Sequence, residues 1–359
     1  MDIQYIGEHL LPGQLGHLFA ILSFIGSLVA VIAYFSAAQS KDLVQEGRWR
    51  RLGRGAFTIQ VISVLGVLTL LFWILFSHYF EYSYVWKYSS TSSPWQFLIG
   101  AVWNGQEGSF LLWSMWNSIL GFILMRTAGK WENRVMTTVS LTQVFIGSML
   151  LGIYFLGTKI GSDPFILFRQ ENPTLPIFSR PNYLAFIQDG QGLNPLLQNY
   201  WMTIHPPVLF CGFASTLIPF SYAIAGLWKR DYKGWIKPVL PWALFSGVVL
   251  GTGILMGGAW AYETLSFGGF WAWDPVENAS FVPWLVMIGA IHTLMVYKST
   301  GRSGKITFFL FIMAFCMILY STFLTRSGIL GDTSVHAFTG LGLTAQLLIY
   351  LLFFLIGSL

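Results

Sequence analysis

The 359-residue chain is 55% hydrophobic and only 10% charged, where a soluble globular domain carries about 25% charged residues. That deficit excludes a soluble enzyme and makes lipid the solvent. The net charge of +5 is spread through short connections rather than gathered on one face, which argues against a nucleic-acid partner.

A run of roughly 17–25 apolar residues can cross a bilayer as a helix. Nine such runs follow in chain order, at 15–38, 56–79, 109–125, 135–157, 206–228, 239–260, 281–297, 306–324 and 341–359. Backbone polar groups in lipid must be satisfied within the segment, and these runs do not alternate as barrel strands do. The expectation is an all-α polytopic bundle of about nine spans, forming a single membrane domain over 1–359. Of the 20 Lys and Arg, 15 fall in the odd-numbered connections. The positive-inside rule then makes those connections cytoplasmic and places the N-terminus outside. The opening MDIQYIGEHLLPG has no basic region and no small-residue cleavage site, so no cleaved signal peptide is expected.

The even-numbered connections share the outer face. The longest, 158–205, is rich in Pro, Asn and Gly; a loop of that length is functional or disordered rather than a plain connector. The segment 95–108 reads as a short interfacial helix feeding the third span. Glu107, in NGQEGSFLLW, either caps that span or belongs to a site.

The connection 267–281 reads FGGFWAWDPVENASF and contains no Lys or Arg. Gly268 and Gly269 allow backbone to approach a flat ligand. Phe267, Phe270, Trp271 and Trp273 offer planar faces that could stack on a porphyrin. Asp274 followed by Pro275 predicts an N-cap and a first helical position. The bland alternative is an interfacial aromatic belt with a turn.

Five of the 6 histidines lie on or near the outer face: His9, His17, His78, His205 and His336. Haem iron commonly takes one axial His from each side of the ring, so a pair from separate loops could clamp a haem against the aromatic loop. His205 directly precedes Pro206 and Pro207, which are expected to open the fifth span. His336 follows the eighth span. Each, taken alone, also reads as an ordinary interfacial polar residue, and that reading is kept for His9, His17 and His78. His292 lies inside the seventh run, where an ionisable residue is a functional candidate by default. It would serve a second haem, or else bond a backbone carbonyl as a neutral imidazole. Arg326 could pair with a haem propionate or sit as an interfacial cation. Cys211 and Cys316 lie in apolar runs and form no CxxCH motif, so the chain does not itself carry covalent haem.

The string GGFWAWDPVENASF resembles the tryptophan-rich WWD signature of the haem-handling proteins of cytochrome c biogenesis. LNPLLQNYWMTIHPPVLFCG (193–212), LTRSGILGDTSVHAF (324–338) and NGQEGSFLLW (104–113) are similar, in order, to segments of the CcmF-type haem lyases of that group. The resemblance implies a WWD region over about 193–338 facing the periplasm of a bacterial inner membrane. Its axial pair would be His205 and His336, and its platform Trp271, Trp273 and Asp274. It also implies a b-type haem in the membrane, with His292 as one ligand. The implied partners are a periplasmic haem chaperone, a thiol-handling maturation protein and the CxxCH segment of apocytochrome c. Joining haem vinyls to those thiols would be the activity. A haem transporter and a b-haem electron-transfer subunit are the alternatives. Two departures stand out: Phe267 replaces a usual Trp, and the chain stops at Leu359 inside an apolar run. The family's second membrane histidine lies in a C-terminal portion this chain lacks, so a fragment or one half of a split protein is expected.

Overall fold

The structure is a computed structural model and describes residues 4–155, 157–264, 269–330 and 342–358. Twelve α-helices carry the described chain: α1 (Leu10–Gln39), α2 (Leu43–Phe76), α3 (Ser83–Tyr88), α4 (Trp95–Ala101), α5 (Gln106–Thr127), α6 (Glu132–Ser148), α7 (Phe168–Glu171), α8 (Trp201–Lys229), α9 (Ile236–Thr264), α10 (Pro275–Thr300), α11 (Gly304–Arg326) and α12 (Thr344–Gly357). Each of the nine predicted runs falls on one of them. Among the described residues, seven helices are long and apolar enough to cross a membrane: α1, α2, α5, α8, α9, α10 and α11. The chain is an all-α, multi-pass membrane protein.

Two predicted boundaries shift. The fourth run was drawn to residue 157, but α6 stops at Ser148, and Ile153–Phe155 (β1) pairs antiparallel with Thr158–Ile160 (β2). Hydropathy alone does not separate the end of a helix from an apolar strand that follows it. The fifth run was drawn to start at Pro206, but α8 begins at Trp201 and carries Pro206 and Pro207 inside it. Pro206 has no N–H to give the carbonyl four residues back. That carbonyl, on Met202, instead accepts the indole Nε1–H of Trp103 at 2.8 Å, and the helix continues.

Short connections pair successive helices. Asp42 caps α2, its Oδ1 accepting from Val44 N at 3.0 Å, and α2 packs back on α1. Gly26 makes that approach possible, since a Cβ there would lie 3.0 Å from the carbonyl oxygen of Ala56. α6, with 12 of its 17 residues buried, runs inside the bundle beside α1, α5 and α8. There it carries Glu132, Asn133, Thr137, Thr138, Ser140, Thr142 and Gln143 as buried polar groups.

The predicted long outer loop is a folded cover. Ser83 N donates to Ile166 O at 3.0 Å and Phe168 N to Glu81 O at 2.7 Å. Phe168, Phe178 and Tyr183 form a small core of their own, with Trp86 stacked on Phe168. The N-terminal segment joins it: Arg169 Nε donates to Glu8 Oε1 at 2.6 Å and Tyr183 OH to the same oxygen at 2.7 Å. Asp189 clips its far end, accepting from Thr91 N and Gly190 N, each at 2.8 Å. The cover meets the bundle where Ser162 Oγ donates to Glu107 Oε1 at 2.6 Å and Gly161 N to Gln346 Oε1 at 3.0 Å. N-terminus, cover and the mouths of α8 to α11 thus share one end of the molecule.

Candidate functional site

At that end a cavity of about 340 Å³ opens between α8, α9, the start of α10 and the end of α11. The volume lies in the range of small-molecule sites, about 300–1,000 Å³. Aromatic and aliphatic side chains make most of its wall, Trp103, Phe210, Trp260 and Trp271 among them. Among the described lining residues, the charged side chains are Arg326 and Glu277, and the one imidazole is His205.

His205 is seated by the packing of α8 on α9. A Cβ at Gly257 would lie 3.0 Å from His205 Cε1, so the absence of a side chain there admits the ring. Trp260 meets the imidazole edge-on at 5.8 Å. Phe210 stands five residues farther along α8, roughly 7.5 Å of helix. The Arg326 guanidinium lies 6.0 Å over its ring, and Gln106 Nε2 donates to the Arg326 carbonyl at 3.1 Å. A second cavity of about 110 Å³, walled by Phe110, Trp113 and Ser321, continues from Arg326 into the bundle.

The start of α10 is built as Asp274 and Pro275 predict. Asp274 is the N-cap, with Oδ1 accepting from Val276 N at 2.8 Å, and Pro275 is the first helical residue. Glu277 closes the capping box, Oε2 accepting from Asp274 N at 3.1 Å and from Ala272 N at 3.0 Å. Those bonds fix the turn that carries both tryptophans, and they occupy one oxygen of the cavity carboxylate.

The expected four-ring platform divides. Trp271 lines the cavity. Trp273 does not: it is 68% exposed and meets Trp271 edge-on at 6.0 Å. Its φ of +57° is a strained conformation for a non-glycine residue, about 1–3 kcal/mol, and the turn places the two rings at 90°. Phe270 is 46% exposed, with its ring edge against Gly258, and is also outside the lining. Gly269 has φ +114°, a conformation that favours glycine, with open space where a side chain would stand. Asp274 is occupied as a helix cap. Phe267, Gly268 and His336 lie outside the described residues.

The other histidines separate clearly. His9 Nδ1 is 2.9 Å from Glu81 Oε1 and its ring stacks on Tyr79 at 4.0 Å. His17 pairs with Asp163 at 3.2 Å. His78 adopts φ +51° in the turn that ends α2. These three hold the cover and the turns. His292 is on α10 but faces out of the bundle, with Nδ1 2.8 Å from the Ile288 carbonyl. The bond to a backbone carbonyl offered as the alternative is therefore present. His292 lies within the span α10, as expected, and is exposed on the outer side of the described bundle.

Sequence reasoning missed Trp103, Glu277 and the Gly257 seat. The proline pair was a usable signal for the first, since a proline inside a helix leaves a carbonyl that something must satisfy.

The fold and this end of the bundle define a class: a multi-pass helical membrane protein with an aromatic-walled cavity holding one histidine and one arginine. A family model described as cytochrome C assembly protein matches residues 103–330. The cytochrome c-type biogenesis protein CcmF of Pseudomonas fluorescens is 37% identical over 353 residues, covering 96% of this chain and 49% of that protein. CcmF of Pseudomonas aeruginosa is 35% identical over 327 residues, covering 90% and 46%. A solved structure, cytochrome c heme lyase CcmF, matches with a TM-score of 0.74 at 26% identity, across 100% of this chain and 52% of its own. The chain belongs to the cytochrome c assembly protein family, and it spans about half the length of the relatives it matches.

Proposed function

We propose that the chain is the haem-binding membrane component of a bacterial cytochrome c maturation system. Its cavity receives haem on the periplasmic side of the inner membrane and presents it for attachment to the CxxCH thiols of apocytochrome c. The observation that carries this reading is the placement of His205, Trp271 and Arg326 around one apolar cavity, from segments far apart in sequence. An imidazole for iron, an indole face for the ring and a guanidinium for a carboxylate match the chemistry of haem. The second axial ligand in this reading is His336. The described residues on either side of it meet next to Arg326, where Thr344 Oγ1 donates to Ser327 O at 3.1 Å, and six extended residues reach at most about 20 Å from Leu330.

Attachment adds a thiol S–H across a vinyl C=C: one C–S and one C–H bond form, with no net oxidation. The protein contributes position and exclusion of water rather than a nucleophile. A periplasmic haem chaperone and a thiol-handling partner would deliver the two reactants. His292 supports a second, b-type haem. With the hydrogen on Nδ1 directed to the Ile288 carbonyl, Nε2 would be the nitrogen left to hold its iron, on a residue exposed at the outside of the described bundle. The other ligand would come from a segment packed on that face.

The test is haem titration of the purified protein followed by visible spectroscopy, with cytochrome c maturation scored in cells. His205→Ala together with His336→Ala should abolish the outer-site spectrum and reduce maturation more than 100-fold. Retention of both by the double variant would reject the proposal.

A further inference from the structure

Two poles set how a flat dicarboxylate ligand could lie in the cavity, and they are not at the same depth. α8 and α9 pack antiparallel, with His205 against Gly257 and Leu209 against Gly253. The α9 residue near the end of its helix, Ala261, and Leu197 before α8 therefore mark the outer end of the cavity, and Phe210 and Ile254 mark the inner end. Arg326 stands at the inner end beside Phe210 and also lines the deeper cavity. The step of roughly 7.5 Å from the level of His205 to that of Phe210 is comparable with the reach from the iron of a haem to its propionate oxygens. Glu277, the other charged group among the described lining residues, repels carboxylates from the start of α10.

We infer that the porphyrin enters with its propionate edge inward, toward Arg326, and its vinyl edge at the mouth beside Leu197 and Ala261. This rests on the haem-binding reading above and adds to it the orientation and the positioning residue. Taking carboxylates away from water is unfavourable unless they meet a cation. An arginine at the inner end of an apolar cavity is what makes the inward orientation the stable one. The consequence is functional: the vinyls, which react, lie where a polypeptide thiol can reach them, and the propionates, which do not, serve as the grip. Arg326 is a positioning residue in this account.

The test uses the whole protein and three ligands: haem, haem dimethyl ester, and a haem carrying bulky substituents in place of both vinyls. The native protein should bind the dimethyl ester at least tenfold more weakly than haem and the vinyl-substituted ring within about threefold of haem, since a charged contact at a buried site is worth 1.4 kcal/mol or more, a factor of about ten. Arg326→Gln should bind haem and its diester equally, with His205 ligation still visible in the spectrum. Arg326→Lys should recover part of the preference. If the diester binds as tightly as haem, or the vinyl-substituted ring is the one rejected, the orientation is wrong while haem binding stands. If the native protein shows no histidine-ligated haem, the function reading falls and the orientation with it. The ligand comparison on the native protein stays decisive even if Arg326→Gln fails to fold.

Discussion

Arg54 and Arg326 belong to two regions that treat buried polarity in opposite ways. Between α1, α2, α5 and α6 many of the polar groups bond one another. Arg54 forks Glu132 through Nε at 2.7 Å and Nη2 at 2.6 Å. Gln60 Nε2 donates to Ser118 Oγ at 3.0 Å, and Gln143 Nε2 to the same oxygen at 2.8 Å. Between α8, α9, α10 and α11, His205, Arg326 and Glu277 stand around a cavity. The difference teaches that polarity inside this bundle marks a site only where packing leaves volume beside it. Within a closed network the same residue types hold helices together.

The sharpest way to break the comparison is to fill the cavity side. Gly257→Leu puts a side chain where the His205 ring sits, and haem affinity should fall at least 100-fold, about 3 kcal/mol, with helical content unchanged by circular dichroism. Unaltered haem titration would show that His205 is not seated for iron. On the closed side, Arg54→Leu strands the Glu132 carboxylate, which is 3% exposed. The arginine is about half in solvent, so the loss should be about 1–3 kcal/mol rather than the full penalty of a buried pair. Thermal unfolding in detergent reads it, and haem affinity should stay within twofold. A parallel loss of haem binding would mean that the two regions are not separable.

A smaller effect separates the two tryptophans. Trp271→Ala should weaken haem binding about tenfold, the scale of one aromatic contact, whereas Trp273→Ala should change it less than twofold. Equal losses would put both rings on the ligand. The smallest effect lies in the cover. The N–H groups of Thr91 and Gly190, with the Thr91 and Ser90 hydroxyls, hold the Asp189 carboxyl below its ordinary range. A depressed folded value contributes stability that is present above the unfolded value near 3.9 and is lost as pH falls through the lower folded value. Amide protection factors over 181–192, taken relative to the intrinsic rate at each pH, should therefore be constant at pH 5 to 7 and fall below about pH 4. Asp189→Asn should show the lowered protection at neutral pH, with haem affinity untouched.

Much of the architecture was readable from residues. Each apolar run contains a helix, because a backbone in lipid must satisfy its own polar groups. The cap at Asp274 was readable because Asp-Pro is a short-range device whose carboxylate and proline act within one turn; the part Glu277 plays in the same box went unread. The end of α6 was not readable, because β1 is as apolar as the helix before it. The start of α8 was misplaced because two prolines mimic a helix opening, and only Trp103, nearly a hundred residues away, shows why the helix runs through them.

The aromatic loop carries the same lesson at the site. Composition, spacing and charge counting by themselves determined that the chain is a membrane bundle, that its even-numbered connections belong to one face and that Asp274 and Pro275 begin a capped helix. Only the tertiary structure decided that Trp271 faces the cavity and Trp273 does not, that His292 looks outward, and that Arg326 stands deeper than His205. The reason is physical. Span formation and capping depend on partition into lipid and on contacts within one turn. A cavity is the volume left between helices α8 to α11 and the Trp103 segment, and its lining depends on crossing positions, such as Gly257 against His205, that no local pattern contains.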